Sequence, residues 1–246
     1  MLVLAGQPVE LDAHIGRLST SVEALYGSAL PQDAEAAVLA RACAIEYGKL
    51  RIAVRPAPGA VAFTIEAEEV DSGAVFPAPE RGAALRGFVV AGGLGEHKWA
   101  DRRLLDRAAA ASPGELPLLL DADGTVLEAS RASVFVVRDG RLATPPADGR
   151  ILPSIARQQA IEVASAAGIE TSEERLGLAD LHEHEVFLTG SVRGVEPALR
   201  LDGADLPPSG ELSVRIAAGL RRRWRVPAAE PVAAVAAAPP AGRPGH

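Results

Sequence analysis

Lysine is nearly missing from this chain. Among 25 Lys+Arg residues it occurs only at Lys49 and Lys98, and every other basic position is arginine. Where charge alone is needed the chain uses arginine, so a retained lysine points to chemistry that a guanidinium cannot do. An amine can lose its proton and form a Schiff base with an aldehyde. The alternative is a lysine that merely sits at the surface. Cysteine is scarcer still: Cys43 stands alone, which excludes an internal disulfide and agrees with a reducing, cytoplasmic setting. Its alanine-rich helical surroundings suggest a small core filler. No run of about 20 apolar residues free of charge occurs, so no membrane span is expected. MLVLAGQPVELD has neither the basic start nor the apolar core of a signal peptide. A net charge of −7 argues against general nucleic-acid binding. His182 and His184 in LHEHE have no cysteine or third histidine nearby, so the pair reads as an exposed turn and no metal is expected.

What is present divides into helices and hairpins that segregate rather than alternate, the pattern of an α+β chain rich in antiparallel sheet. LVLAGQPVELD reads as a short hairpin, with Asp12 placed to cap a helix over residues 14–26, where Ile15, Leu18, Val22 and Leu25 recur at helical spacing. A second helix is expected from Ala34 to Tyr47, ended by Gly48. LRIAVRPAPG and AVAFTIEAEEV predict an antiparallel pair. The turn-rich stretch DSGAVFPAPER, residues 71–81, is the candidate linker between a smaller domain at 1–78 and a larger one at 79–225. Beyond it come a strand (GFVVAGG), a helix over 101–111, and two hairpins turning on Asp-Gly. A helix over 153–167 has Pro153 in its first turn. EVFLTGSVRGVEPALRLDG reads as a strand, a loop, a short strand and a turn. The last helix is expected over 209–225, and the Ala/Pro-rich tail, 226–246, is expected to be disordered.

The chemistry centres on GGLGEHKWADRRLLD, residues 92–106, where a glycine-rich approach delivers Lys98 just ahead of a helix. Four other segments carry polar groups in apolar surroundings: HIGRL at 14–18, VLEASRASVFVV at 126–137, ILPSIARQ at 151–158 and FLTGSVRGVEP at 187–197. Taken on pattern alone, Arg17 is a surface arginine on an amphipathic helix, Glu128 a glutamate at a hairpin and Ser191 a turn residue. In their order and spacing, however, the five segments resemble the class IV aminotransferases, the fold-type IV pyridoxal-phosphate enzymes. That family includes branched-chain and D-amino acid aminotransferases and 4-amino-4-deoxychorismate lyase. The resemblance covers most of residues 6–205.

The resemblance implies a two-domain α+β homodimer with pyridoxal 5'-phosphate between the domains, and a role for each residue. Lys98 matches the lysine that joins the cofactor aldehyde and afterwards shuttles protons; burial there lowers its pKa toward that of a useful base. Glu128 matches the carboxylate at the pyridine nitrogen. Arg17 matches the arginine on the cofactor phosphate, a task suited to its planar fork. Ile155 and Ala156 match the pair whose backbone amides meet the phosphate at a helix start, and Ser191 matches a hydroxyl completing the cup. Arg193 is the candidate for a substrate carboxylate. Ser133, Ser154 and Ala156 stand where relatives commonly have asparagine, glycine and threonine, and Asp101 where they often have asparagine. An extra strand that relatives carry before the GQPVELD turn is expected to be missing. WADRRLLD after the lysine and SVRGVEP are closer to the lyase than to the transaminases. The leading expectation is therefore release of pyruvate from aminodeoxychorismate to give p-aminobenzoate for folate synthesis. Transamination of branched-chain or D-amino acids is the alternative, and a non-catalytic cofactor-binding relative is the third.

Overall fold

The computed structural model describes residues 1–227. The expectation for the tail therefore lies, from 228 onward, outside the described residues. The chain first builds a four-stranded antiparallel sheet in the order β2-β1-β3-β4. Its strands are β1 (Leu2–Leu4), β2 (Gln7–Pro8), β3 (Tyr47–Ala57) and β4 (Ala60–Glu69). Helices α1 (Leu11–Tyr26) and α2 (Ala34–Ala42) join β2 to β3. Val3, Val38, Ala42 and Leu50 form the centre of this layer, with Ile15, Ile52 and Ile65 packed around them. The PAPG stretch turns β3 into β4 as expected, with Gly59 at φ +71°.

Three local expectations need correction. Helix α2 stops at Ala42, and both Tyr47 and Gly48 belong to β3. A Cβ on Gly48 would lie 2.7 Å from the Glu68 carbonyl and 2.6 Å from the Ile45 side chain, so glycine serves the close pairing of β3 with β4 rather than a helix end. Cys43, just past α2, is exposed and is no core filler. Asp12 falls inside the first turn of α1, whose cap position is Glu10. The hairpin expected over LVLAGQPVELD forms as read, β1 pairing with β2.

Two short 3₁₀ turns, Ser72–Ala74 and Pro79–Arg81, carry the chain onward. There follow β5 (Ala83–Val89), α3 (Arg103–Ala111), β6 (Leu116–Leu120), β7 (Val126–Ala129), β8 (Ser133–Arg138), β9 (Arg141–Thr144) and α4 (Ile155–Ala166). The chain continues with β10 (Thr171–Glu173), α5 (Leu178–Glu183), β11 (Glu185–Gly190), β12 (Gly194–Leu201), β13 (Ala204–Asp205) and α6 (Glu211–Trp224). The larger sheet runs β10-β9-β8-β11-β12-β5-β6-β7, with β13 beside β12. Pairing is parallel at β12–β5, β5–β6 and β9–β10 and antiparallel elsewhere. Asp139 and Gly140 both have positive φ, the twist a two-residue hairpin loop requires.

Strand alternation gives this sheet two apolar faces. Val134, Val136, Val186 and Leu188 fill one. Phe135 and Phe187, stacked with centroids 5.0 Å apart, fill the other against Ala156 and Ala160 of α4 and Ile216, Leu220 and Trp224 of α6. The LHEHE segment is helical over its first residues, as the end of α5, rather than a turn, and β12 is eight residues long rather than short. Strand β10 carried no sequence signal, being three polar residues paired to β9. Among the described residues no helix is long and apolar enough to cross a membrane.

Candidate active site

The two sheets meet around Lys98. Besides the bond from Arg223 Nε to Glu10 at 2.9 Å, three side-chain hydrogen bonds cross between their layers, and these three involve residues of the lysine loop, α1, β3 and the lead-in to α4. Arg17 Nη1 donates to the Pro153 carbonyl at 3.3 Å, Arg51 Nη2 to the Ala100 carbonyl at 2.8 Å, and His97 Nδ1 lies 3.1 Å from Ser21 Oγ. Arg17 and Ser21 are four apart on α1 and so share one helix face. That face holds the smaller sheet's layer against the lysine loop and the start of α4.

The glycines of the lysine loop have separate reasons. Gly93 has φ +72°, and a Cβ there would lie 2.0 Å from the Arg150 carbonyl, while Gly92, at φ +75°, has open space around it. Gly92 N–H donates to Asp121 Oδ1 at 2.9 Å, and Gly95 N–H to the Arg150 carbonyl at 3.2 Å. Arg150 is pinned in turn by Asp121 at 3.0 Å and Asp148 at 2.7 Å. The loop that presents Lys98 is thereby clamped to the loop that leads into α4.

Lys98 is exposed by surface area, yet its pKa is lowered to about 8, first by desolvation and then by Arg17, Arg102 and Arg51. These two facts describe an amine in an open cleft whose walls are dense in protein and positive charge. Glu128, on β7, is 9% exposed. Burial pushes its carboxyl up to about 7 despite the amide of Leu152, at 3.4 Å, and the nearby cations Lys98, Arg102 and Arg17. His14 lies in the same neighbourhood and is pushed down to about 2 by desolvation, with the N-terminal ammonium, Arg17 and Lys98 adding to it. A chain that is acidic overall has thus gathered its cations here.

The sequence candidates fall into two groups. Lys98, Glu128 and Arg17 act on one another electrostatically. Ile155 and Ala156 join them through position. They are the first two residues of α4, capped by the Ser154 side chain accepting from the Arg157 amide, and Arg17 bonds the residue before that cap. Ser191 is half-buried in the turn between β11 and β12. Arg193 stands apart: its guanidinium is held 2.7 Å from Glu196, which also takes Arg131 at 2.9 Å. The site residues that the sequence did not reveal are Arg51, Arg102 and the His97–Ser21 contact, since their neighbours lie far off along the chain. A groove of about 890 Å³, lined by Trp99, Leu104 and Arg107 among others, runs along α3, and its lining includes neither Lys98 nor Glu128.

Does this constellation suit a phosphorylated aldehyde cofactor? Two observations say that it does. The amides of Ile155 and Ala156 precede the first intrahelical bond of α4, Gln158 to Ser154, and so remain available to an anion. The hydroxyls of Ser133 and Thr189, cross-strand partners on the sheet face that α4 covers, are buried without a hydrogen-bond partner among the described residues. Buried polar atoms ordinarily find partners, so this end of the face is polar where the rest is apolar.

A lysine of lowered pKa, a buried carboxyl, an arginine and an open helix start, placed where two α+β layers meet, define a protein built to hold an anionic, carbonyl-bearing cofactor. The amino-transferase class IV model matches residues 1–201, and the chain belongs to that family. The branched-chain-amino-acid aminotransferase of Salmonella typhimurium is 36% identical over 87 residues, a stretch covering 35% of this chain and only 28% of that relative. In structure the chain resembles a hypothetical aminotransferase from Mycobacterium tuberculosis in its PLP-bound form, with TM-score 0.77 and 23% identity, covering 91% of this chain and 86% of the other. It also resembles a Legionella pneumophila protein provisionally named a 4-amino-4-deoxychorismate lyase, with TM-score 0.76 and 18% identity over 90% and 88% of the two chains. At such identities the structural likeness establishes the fold.

Proposed function

We propose that the protein is a pyridoxal-phosphate-dependent enzyme that removes the proton from the amine-bearing carbon of its substrate. The observation that carries this reading is the convergence of Lys98, Glu128 and Arg17 with the start of α4. Arg17, the amides of Ile155 and Ala156 and the Ser191 hydroxyl would hold the cofactor phosphate, and Glu128 would face the ring nitrogen. When bound, the cofactor supplies an aldehyde for the substrate amine and a ring that accepts electron density from the α-carbon.

The chain's own residues supply the rest. Lys98, with its pKa lowered to about 8, is a base strong enough to take the α-proton and weak enough to be partly unprotonated near neutral pH. Glu128 holds a proton or a negative charge readily, because burial has brought its pKa to about 7. A cationic ring nitrogen beside it would favour the charged form. Ser21 and His97 hold α1 against the lysine loop, so the phosphate arginine and the base keep a fixed spacing.

Within this class we propose the lyase reaction, release of pyruvate from aminodeoxychorismate to give p-aminobenzoate, by an enzyme assembled as a homodimer. The Lys98-to-Arg103 run, KWADRR, and the fold shared with the Legionella protein support it. Transamination is the second reading, favoured by the name of the Salmonella relative. One assay separates them. The protein is loaded with pyridoxal phosphate and given aminodeoxychorismate without any keto acid. Pyruvate and p-aminobenzoate in equal amounts mark the lyase. Their absence, together with amino transfer from single amino acids to a keto acid, marks the transaminase.

A further inference from the structure

Most arginines among the described residues are closed by carboxylates, half-buried Arg221, held by two backbone carbonyls and the Phe76 ring, being one exception. Arg131 is taken by Glu196, Arg138 by Glu174 and Asp180, Arg150 by Asp121 and Asp148, and Arg103 by Asp101. Two half-buried arginines of the cleft depart from the rule. Arg17 is bonded to one backbone carbonyl, that of Pro153. Arg102 is likewise bonded to one backbone carbonyl, that of Ser130, through Nη2 at 2.9 Å. Both pay part of the desolvation cost of a buried charge without an ion-pair partner among the described residues. Arg17 has a use under the proposed function, the cofactor phosphate. Arg102 has none assigned.

Its position suggests one. Arg102 lies four residues beyond Lys98, at the entrance to α3, and its side chain reaches the turn two residues beyond Glu128. It therefore spans from the segment of the base to the hairpin of the acid, beside the space where a substrate's α-carbon must be presented. The Ser130 carbonyl fixes one nitrogen of the guanidinium, and among the described residues no hydrogen bond takes Nε or Nη1. A planar donor face, oriented in advance and desolvated, matches a carboxylate. Arg51, drawn to the Ala100 carbonyl, adds a second positive charge close enough to act on Arg102.

We infer that Arg102 is a specificity-determining residue that receives a carboxylate of the substrate on the edge of its guanidinium that the Ser130 carbonyl leaves free. The inference rests on the proposed function for the identity of the ligand, but not for its measurement. A competing role is a tether that fixes α3 to the Glu128 hairpin. Arg102→Gln separates the two, because the amide can still donate to the Ser130 carbonyl while the charge is lost.

The probe is glutarate, an unreactive dicarboxylate, with the neutral diamide of glutarate as control. Binding is followed by calorimetry with and without added pyridoxal phosphate, beside the cofactor's visible band. Glutarate should bind wild type and the exposed control Arg107→Gln within twofold of each other, and Arg102→Gln about tenfold or more weakly. The diamide should not discriminate, and cofactor affinity should stay within threefold. Equal glutarate affinity in wild type and Arg102→Gln overturns the inference, as does failure of wild type to bind glutarate. A parallel loss of cofactor affinity also overturns it, since Arg102 would then serve the phosphate. Should Arg102→Gln fail to fold, Arg102→Lys decides: it keeps the charge but not the fork, and unchanged glutarate affinity overturns the inference. A wild-type protein that shows no visible band with the cofactor sinks the proposed function, while calorimetry still settles Arg102.

Discussion

Arg17, on the first helix, donates to the carbonyl of Pro153, a residue 136 positions later and two ahead of α4. Through this bond the smaller sheet's layer reaches the start of α4, where the amides of Ile155 and Ala156 are open to an anion. Arg17→Gln should therefore weaken pyridoxal-phosphate binding by roughly ten- to a hundredfold, the range expected for one charge-assisted contact to phosphate. Arg17→Lys should fall between. Titration of the visible band gives both constants, and an unchanged constant for Arg17→Gln would remove the residue from the phosphate site.

Lys98 shares the chain with only one other lysine, so its chemistry can be read by peptide mass spectrometry with Lys49 as internal reference. Acetylation of the cofactor-free protein as a function of pH should show Lys98 half-reactive near pH 8. Borohydride reduction with pyridoxal phosphate should mark Lys98 and spare Lys49, and Lys98→Ala should show no visible band. Preferential marking of Lys49 would end the assignment.

Glu128 makes a prediction about stability. Its folded pKa, about 7, lies above the ordinary value of 4.5. The folded state binds its proton more tightly than the unfolded chain does, so the buried group favours folding below pH 4.5. That advantage is lost as pH rises from 4.5 through 7, up to roughly 3 kcal/mol for a shift of this size. Glu128→Gln retains an acceptor for the Leu152 amide and removes the charge. In thermal melts of cofactor-free protein it should match wild type at pH 4.5 and exceed it at pH 8. A variant less stable than wild type at pH 8 would contradict the burial argument.

Gly92 and Gly93 form a paired test of the lysine loop. Both have positive φ, but only a Cβ on Gly93 would strike backbone, the Arg150 carbonyl at 2.0 Å. Gly92→Ala should cost about 1–2 kcal/mol from backbone conformation alone. Gly93→Ala should cost more and should also alter the cofactor band, because the loop must move off Arg150. Denaturant unfolding measures the costs, and equal costs would mean that the contact relaxes freely.

Much of this was legible in the chain itself, for reasons that differ from residue to residue. Lys98 stood out because arginine replaces lysine almost everywhere else. The helix that begins at Ile155 was legible from Pro153, while a role for Ile155 and Ala156 came only with the family resemblance, and the Asp-Gly hairpins were legible because their turn chemistry is local. The end of α2 was not legible: Gly48 looks like a stop signal, and only its packing against Glu68 shows that it is a strand residue. The three polar residues of β10 gave no period to read. Within the WADRR run Arg102 could not be told from Arg103, since what separates them is the Asp101 carboxylate that Arg103 holds and Arg102 does not. The bond from His97 to Ser21 joins residues 76 apart, beyond the reach of any local pattern.

The strand order β11-β12-β5-β6-β7 places the Ser191 turn, the lead-in to Lys98 and Glu128 on one continuous hydrogen-bonded ladder. The spacing between these groups is then counted in strand widths of about 4.8 Å rather than set by loop shape. Such a ladder works as a gauge block. The loops that face the substrate can be lengthened, shortened or exchanged while the ruler beneath them keeps its graduations, so new substrates can be sought at the surface without recalibrating the chemistry underneath.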